Sequence, residues 1–171
     1  MLTDFHTHIF PDKMADKTIK LLESNIKEEY RPHKAELRGT LDALKQSMRE
    51  NNVDISLVLP IATNVKQSTT INNFAASING IDGIYSLGSL HPMQSDWESV
   101  LYDIKEKGLK GIKLHPEYQQ FYIDSKESIQ ILKKCEEFDL ITVLHSGKDI
   151  GIDPPVHCTP ERLSHILDYV K

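Results

Sequence analysis

Gly111-Ile112-Lys113-Leu114-His115-Pro116 is the stretch on which the fold turns. In an extended chain successive side chains point to opposite sides, so Ile112 and Leu114 share one face and Lys113 and His115 the other. The apolar face suits packing beneath helices. The polar face is costly to bury unless a substrate, a metal or a hydrogen-bond network satisfies it. A strand of this kind belongs in a parallel sheet with helices on its outer side and a site at its C-terminal mouth.

Similar short segments recur on both sides of it, at Leu2–His6, Ile55–Leu59, Ile84–Gly88 and Ile141–His145. The last four of the five strands start at Ile55, Ile84, Gly111 and Ile141, that is 29, 27 and 30 residues apart. Apolar stripes at helical spacing lie between them: Leu41, Leu44 and Met48; Ile71, Phe74, Ala75 and Ile78; Trp97, Val100, Leu101 and Ile104; Ile131, Leu132, Cys135 and Phe138; Leu163, Ile166, Leu167 and Val170. Ser95-x-x-Glu98 reads as a capping box, Thr159-Pro160 as an N-cap followed by proline at the first helical position, and Gly108 as a C-terminal cap. The last helix is expected over Pro160–Lys171. Strand–helix alternation at this spacing implies parallel strands joined by crossover helices.

The interval between strands one and two is longer and holds an insertion over residues 11–38, with a helical stretch near Lys13–Ile26. Placed directly after a strand, it would stand over the end of the sheet where ligands bind, as a lid or pocket wall. A plain surface excursion is the other reading.

The composition is that of a folded water-exposed domain: 171 residues, 39% hydrophobic and 26% charged, with a net charge of −5. A nucleic-acid surface is not expected, because phosphate binding calls for clustered Lys and Arg, and here these alternate with acids along helices. No stretch approaches the 18 or so apolar residues of a membrane span. The N-terminus lacks a basic region followed by an apolar core. Cys135 and Cys158 show no metal-binding spacing, so a reduced, cytoplasmic setting is expected.

Of eight histidines, five fall at or just after strand ends: His6, His8, His91, His115 and His145. His33, His157 and His165 fall in the insertion, a loop and a helix. In (β/α) barrels the active site is built from strand C-termini and the loops after them. His6 and His8, in Asp4-Phe5-His6-Thr7-His8, are two residues apart on a strand and therefore share a face, from which both can reach one metal ion. Lys113 and His115 share a face in the same way. His145 stands at the rim of strand five, and His91 a few residues past strand three, within reach of either the site or a loop carbonyl. Asp149 and Asp153 lie shortly after the end of strand five.

Four motifs, in order along the chain, resemble the amidohydrolase-related metal-dependent hydrolases and decarboxylases, the branch that includes aminocarboxymuconate-semialdehyde decarboxylase. They are Asp4-Phe-His6-Thr-His8-Ile-Phe-Pro11, Gly88-Ser-Leu-His91-Pro92, Lys110-Gly-Ile-Lys-Leu-His115-Pro116 and Val143-Leu-His145-Ser-Gly147. The resemblance implies an α/β fold of the parallel (β/α) TIM-barrel type. It is incomplete here, with about five of eight β/α units in a single partial domain over residues 1–171, since a full barrel needs about 250 residues. It implies His6, His8 and His145 as metal ligands, with Lys113, His115 and His91 lining the pocket of a small-molecule substrate. The metal implied is one divalent ion, zinc first and manganese as the alternative, activating water for hydrolysis or supporting non-oxidative decarboxylation. The histidine after strand six and the aspartate after strand eight, which complete the family's centre, have no counterpart in these residues, and the loop acids Asp149 and Asp153 are not expected to take that aspartate's place. No side chain is therefore assigned a catalytic part.

Two further readings stay open. Phosphoesterases of the polymerase-and-histidinol-phosphatase or TatD-like type open with a similar D-x-H-x-H strand. A truncated, inactive fragment would keep its histidines by descent only. A variant with two metals bridged by carboxylated Lys113 is chemically conceivable. An open barrel also exposes a strand edge, which pairing into a homo-oligomer would cover.

Overall fold

A computed structural model of the chain describes residues 1–30 and 34–171. Residues 31–33 of the insertion, His33 among them, lie outside the described residues. Five short strands run parallel: β1 (Thr3–Thr7), β2 (Ile55–Val58), β3 (Ile84–Ser86), β4 (Gly111–Leu114) and β5 (Ile141–Leu144). β1 pairs with β2, β2 with β3, and β4 with β5. A parallel bridge between Gly88 and Ile112 joins the two groups. Its bonds run from Gly88 N–H to the Gly111 carbonyl and from Lys113 N–H to the Gly88 carbonyl, both 2.8 Å. The spatial order is thus the sequence order, with every strand parallel, as in a barrel wound one unit at a time. Among the described residues, β1 and β5 pair with no further strand on their outer sides, so the barrel is open.

Helices α1 (Asp12–Asn25), α2 (Leu41–Glu50), α3 (Ser68–Ile78), α4 (Trp97–Glu106), α5 (Pro116–Gln119), α6 (Lys126–Glu137) and α7 (Pro160–Ile166) fill the connections. Their first turns show why they start where they do. Thr40 accepts from Ala43 N–H to cap α2, Ser125 from Ser128 N–H to cap α6, and Thr159 from Arg162 N–H to cap α7, each satisfying a donor that has no intrahelical partner. Gly108, at φ +73°, closes α4 as expected. The Ser95 capping box does not form. The helix begins at Trp97 behind Asp96, whose carboxylate accepts from Gln94 Nε2 at 2.8 Å and caps nothing. The final helix also stops early, at Ile166, which leaves Leu167 68% exposed and off the buried stripe.

The main core lies between β4 and the outer helices. Ile112 and Leu114 pack there with Leu101, Ile104, Leu109, Ile123 and Ile131, all fully or almost fully buried. A smaller cluster of Ile9, Leu44, Met48, Val58, Ile78 and Ile84 sits between β2, β3 and their helices. At roughly 25 cal/mol per Å² of apolar area removed from water, these two clusters supply the main drive for folding. No helix among the described residues is long and apolar enough to cross a membrane.

A candidate metal centre at the mouth of the open barrel

The β4 strand delivers the pattern read from its sequence. Ile112 and Leu114 enter the outer core, whereas Lys113 is fully buried on the inner side and His115 is 5% exposed at the strand end. His115 is also the N-cap of α5: its Nδ1 accepts from Tyr118 N–H at 3.2 Å. That bond fixes the tautomer of the neutral ring. With Nδ1 accepting, the proton sits on Nε2, so His115 offers the site a donor.

His8 is held the other way round. Its Nδ1 donates to the Leu59 carbonyl at 2.8 Å, which leaves the Nε2 lone pair free. That lone pair faces His6 Nε2 at 3.1 Å. Two nitrogens bound to one tetrahedral ion at about 2.0–2.1 Å would stand roughly 3.3 Å apart, so the pair fits a shared metal. A second-shell carbonyl on the far nitrogen is also the usual way a ligating histidine is oriented.

His145 follows β5, and its ring stacks on His115 with centroids 3.8 Å apart and planes 12° from parallel. Its Nε2 is buried and has no hydrogen-bond partner among the described residues, and the same holds for Lys113 Nζ. Asp149 joins this group from the loop after β5. Its Oδ2 lies 3.7 Å from His115 Nε2 and 3.9 Å from His145 Nε2. The ligand atoms of His115, His145 and Asp149 all lie within 4.8 Å of one another.

Electrostatics couple the His6–His8 pair to the His115, His145 and Asp149 group, although among the described residues only the latter bring three ligand atoms within 4.8 Å of one another. Desolvation, reinforced by His145 and Lys113, pushes His115 down to about 3, and desolvation together with His6 pushes His8 down to about 4. His6 and His145 are lowered too, chiefly by desolvation and then by the Lys113 charge. Desolvation drops the Lys113 ammonium to about 8. Neutral imidazoles around a buried cation form a cluster that favours an anion or a metal with its own negative ligands.

His91 is turned into its own loop: its Nδ1 accepts from Met93 N–H at 3.2 Å, and its ring interacts with the Gln119 backbone. Asp153 is 87% exposed and pairs with Lys27 at 2.5 Å. The insertion leans on the same loop that carries Asp149, through that ion pair, through Lys27 N–H to the Ile150 carbonyl at 3.3 Å, and through Lys148 Nζ to Tyr30 Oη at 3.1 Å.

Sequence reasoning did not find two buried supports. Gln119 Oε1 accepts from His115 N–H at 2.8 Å, and its Nε2 donates to the Ala62 and Leu90 carbonyls at 2.8 and 2.7 Å, tying together the ends of β2, β3 and β4. Glu117 accepts from His157 N–H at 2.7 Å and from His157 Nδ1 at 2.5 Å, pinning the far end of the β5 loop. Neither glutamine nor glutamate carries a sequence signal for this, since only the one-turn helix α5 brings them inward.

No family model matches the chain, and no curated protein sequence does. Solved structures resemble it in fold. 5-Carboxyvanillate decarboxylase LigW from Sphingomonas paucimobilis superposes with a TM-score of 0.63 at 16% identity, over 85% of this chain and 51% of that one. An amidohydrolase II structure gives 0.65 at 18% identity, over 90% and 53%. The 5-carboxyvanillate decarboxylase from Novosphingobium aromaticivorans, complexed with manganese and 4-hydroxy-3-methoxy-5-nitrobenzoic acid, gives 0.61 at 15% identity, over 87% and 51%. The chain spans about half the length of each of these structures. They establish the architecture as the TIM-barrel type, present here as an open array of five β/α units.

Proposed function

We propose that this chain carries the metal-binding half of an enzyme that hydrolyses or decarboxylates a small organic substrate bearing a carboxylate or similar anionic group. The observation that carries this reading is the His6–His8 pair. Its facing nitrogens are 3.1 Å apart, and His8 is oriented for ligation by the Leu59 carbonyl. Its support from known folds is architectural: structures of decarboxylases and of an amidohydrolase share this arrangement of strands.

The residues divide the work by their chemistry. His6 and His8, with His145 whose Nε2 lacks a partner, would hold one divalent ion, zinc or manganese. When bound, such an ion supplies Lewis acidity toward a carbonyl or carboxylate oxygen and toward water. Lys113 is still charged at neutral pH and buried, so it offers a counter-charge to the anionic part of a substrate. His115 presents an Nε2–H that orients a substrate oxygen. The insertion walls the pocket on the side of the β5 loop. Buried, unpaired Cys135 and Cys158 fit a reducing compartment.

Calorimetric titration of ZnSO4 or MnCl2 into the metal-free protein tests this directly. Saturable binding is expected, weakened roughly 10- to 100-fold or more in His8→Ala. Wild-type protein that takes up neither ion would overturn the reading. Screening of aromatic carboxylates and lactones for CO2 release or ring opening then separates decarboxylation from hydrolysis.

A further inference from the structure

We propose that Asp149 is the acidic ligand of this centre, binding the cation beside His145 while His115 donates to the same carboxylate. The inference rests on the reading that the site takes a divalent ion, and it concerns a residue outside the strand-end histidines.

The carboxylate is placed with its two oxygens in different roles. Oδ1 accepts from Gly151 N–H at 2.7 Å, so the side chain is anchored by its own turn. Oδ2 is thereby left facing His115 Nε2 and His145 Nε2 at 3.7 and 3.9 Å. Both distances exceed the hydrogen-bond range, and they are nearly equal. A carboxylate oxygen held off the His145 nitrogen in this way leaves room for an ion between the two. Bonds of about 2.0–2.2 Å to nitrogen and oxygen need ligand atoms a little over 3 Å apart, which a small inward movement provides.

The two histidines are not equivalent toward that ion. His115 is committed by Tyr118 N–H to the tautomer with its proton on Nε2, so it faces the carboxylate with a donor and not with a lone pair. His145 Nε2 is buried and has no hydrogen-bond partner among the described residues, so its lone pair can be given to an ion.

The loop is built to keep Asp149 in place. Gly147 N–H donates to the Cys158 carbonyl at 3.0 Å, and Glu117 takes both the backbone N–H and Nδ1 of His157. The side chain of Asp149 is only 10% exposed, whereas Asp153 on the same loop points to solvent.

The test is titration of MnCl2 into the metal-free chain, followed by calorimetry and by the electron paramagnetic resonance of bound Mn2+. Asp149→Asn is expected to raise Kd at least tenfold and to change the Mn2+ spectrum. Asp149→Glu should recover part of the affinity, and Asp153→Asn should match wild type. Asp149→Ser replaces the Asn variant if circular dichroism shows that Asn disturbs the loop. Wild-type Kd and spectrum in Asp149→Asn, with affinity still lost in His8→Ala, would overturn this inference alone. Absence of Mn2+ binding by wild type would overturn it together with the metal reading.

Discussion

The imidazoles of His115 and His145 stack 3.8 Å apart and 12° from parallel, an arrangement that tolerates two neutral rings and not two charged ones. Desolvation, helped by His145 and Lys113, holds His115 at about 3, far below its ordinary value near 6.5. Between those two values the unfolded chain binds a proton that the folded chain refuses, so stability falls as pH drops from 6.5 toward 3. The expected slope is about 1.4 kcal/mol per pH unit for such a group. Urea unfolding at pH 7, 6, 5 and 4 measures it. His115→Asn, which keeps an N-cap for α5, should flatten the decline; an unchanged slope would show that acid sensitivity lies elsewhere.

Lys113 carries the same sign in a more alkaline window. It is fully buried without a hydrogen-bond partner among the described residues, and desolvation brings its ammonium down to about 8. Between pH 8 and 10.5 the unfolded chain keeps a proton that the folded chain has released, so stability rises with pH across that window. Lys113→Met removes the buried charge and should stabilise the metal-free protein at pH 7 by on the order of 1–3 kcal/mol. The rise above pH 8 should vanish in this variant. If Lys113→Met is less stable than wild type at pH 7, the ammonium has a partner that compensates its burial.

What the sequence makes legible here is whatever rests on local rules. Strand order, helix spacing and the inward face of Lys113 and His115 follow from periodicity, because a period of two leaves no choice of face. The caps at Thr159 and Gly108 follow from single residues. The capping box at Ser95 does not form because the N-cap position falls on Asp96, one residue later, and the Asp96 carboxylate is taken by Gln94. The sequence shows Asp149 only as an acid near strand five, because its seat beside His115 and His145 depends on Gly151 N–H and on a loop held by Glu117, which lies on α5. Leu59, as a carbonyl, has no side-chain signal at all, yet it orients His8.

Gly111 is required for strand contact and not for its dihedral angle. A Cβ built there would stand 2.1 Å from the Ile141 carbonyl oxygen, so Gly111→Ala forces β4 and β5 apart at the strand that carries Lys113 and His115. A loss of about 3 kcal/mol or more is expected, read as a fall in midpoint by thermal or urea unfolding. Gly108→Ala is the contrast. It has nothing within 4 Å of its Cβ but a φ of +73°, and it should cost only about 1 kcal/mol. Equal losses in the two variants would contradict the steric account.

Gln119 is the residue whose removal should loosen the whole mouth. Its side-chain amide satisfies His115 N–H and the carbonyls of Ala62 and Leu90, three buried backbone groups on three different strand ends. Gln119→Ala leaves all three without that partner, at a cost on the order of 2–4 kcal/mol, reduced to the extent that water enters the gap. Gln119→Glu tests direction as well as size. A carboxylate can still accept from His115 N–H, but it turns an acceptor toward two carbonyls that need a donor. It should therefore destabilise at least as much as alanine at pH 7 and recover as acid protonates it. Hydrogen exchange of the His115 amide supplies the local readout: fast in Gln119→Ala, protected in Gln119→Glu. Protection in both variants would mean that this amide is held by packing and not by the glutamine.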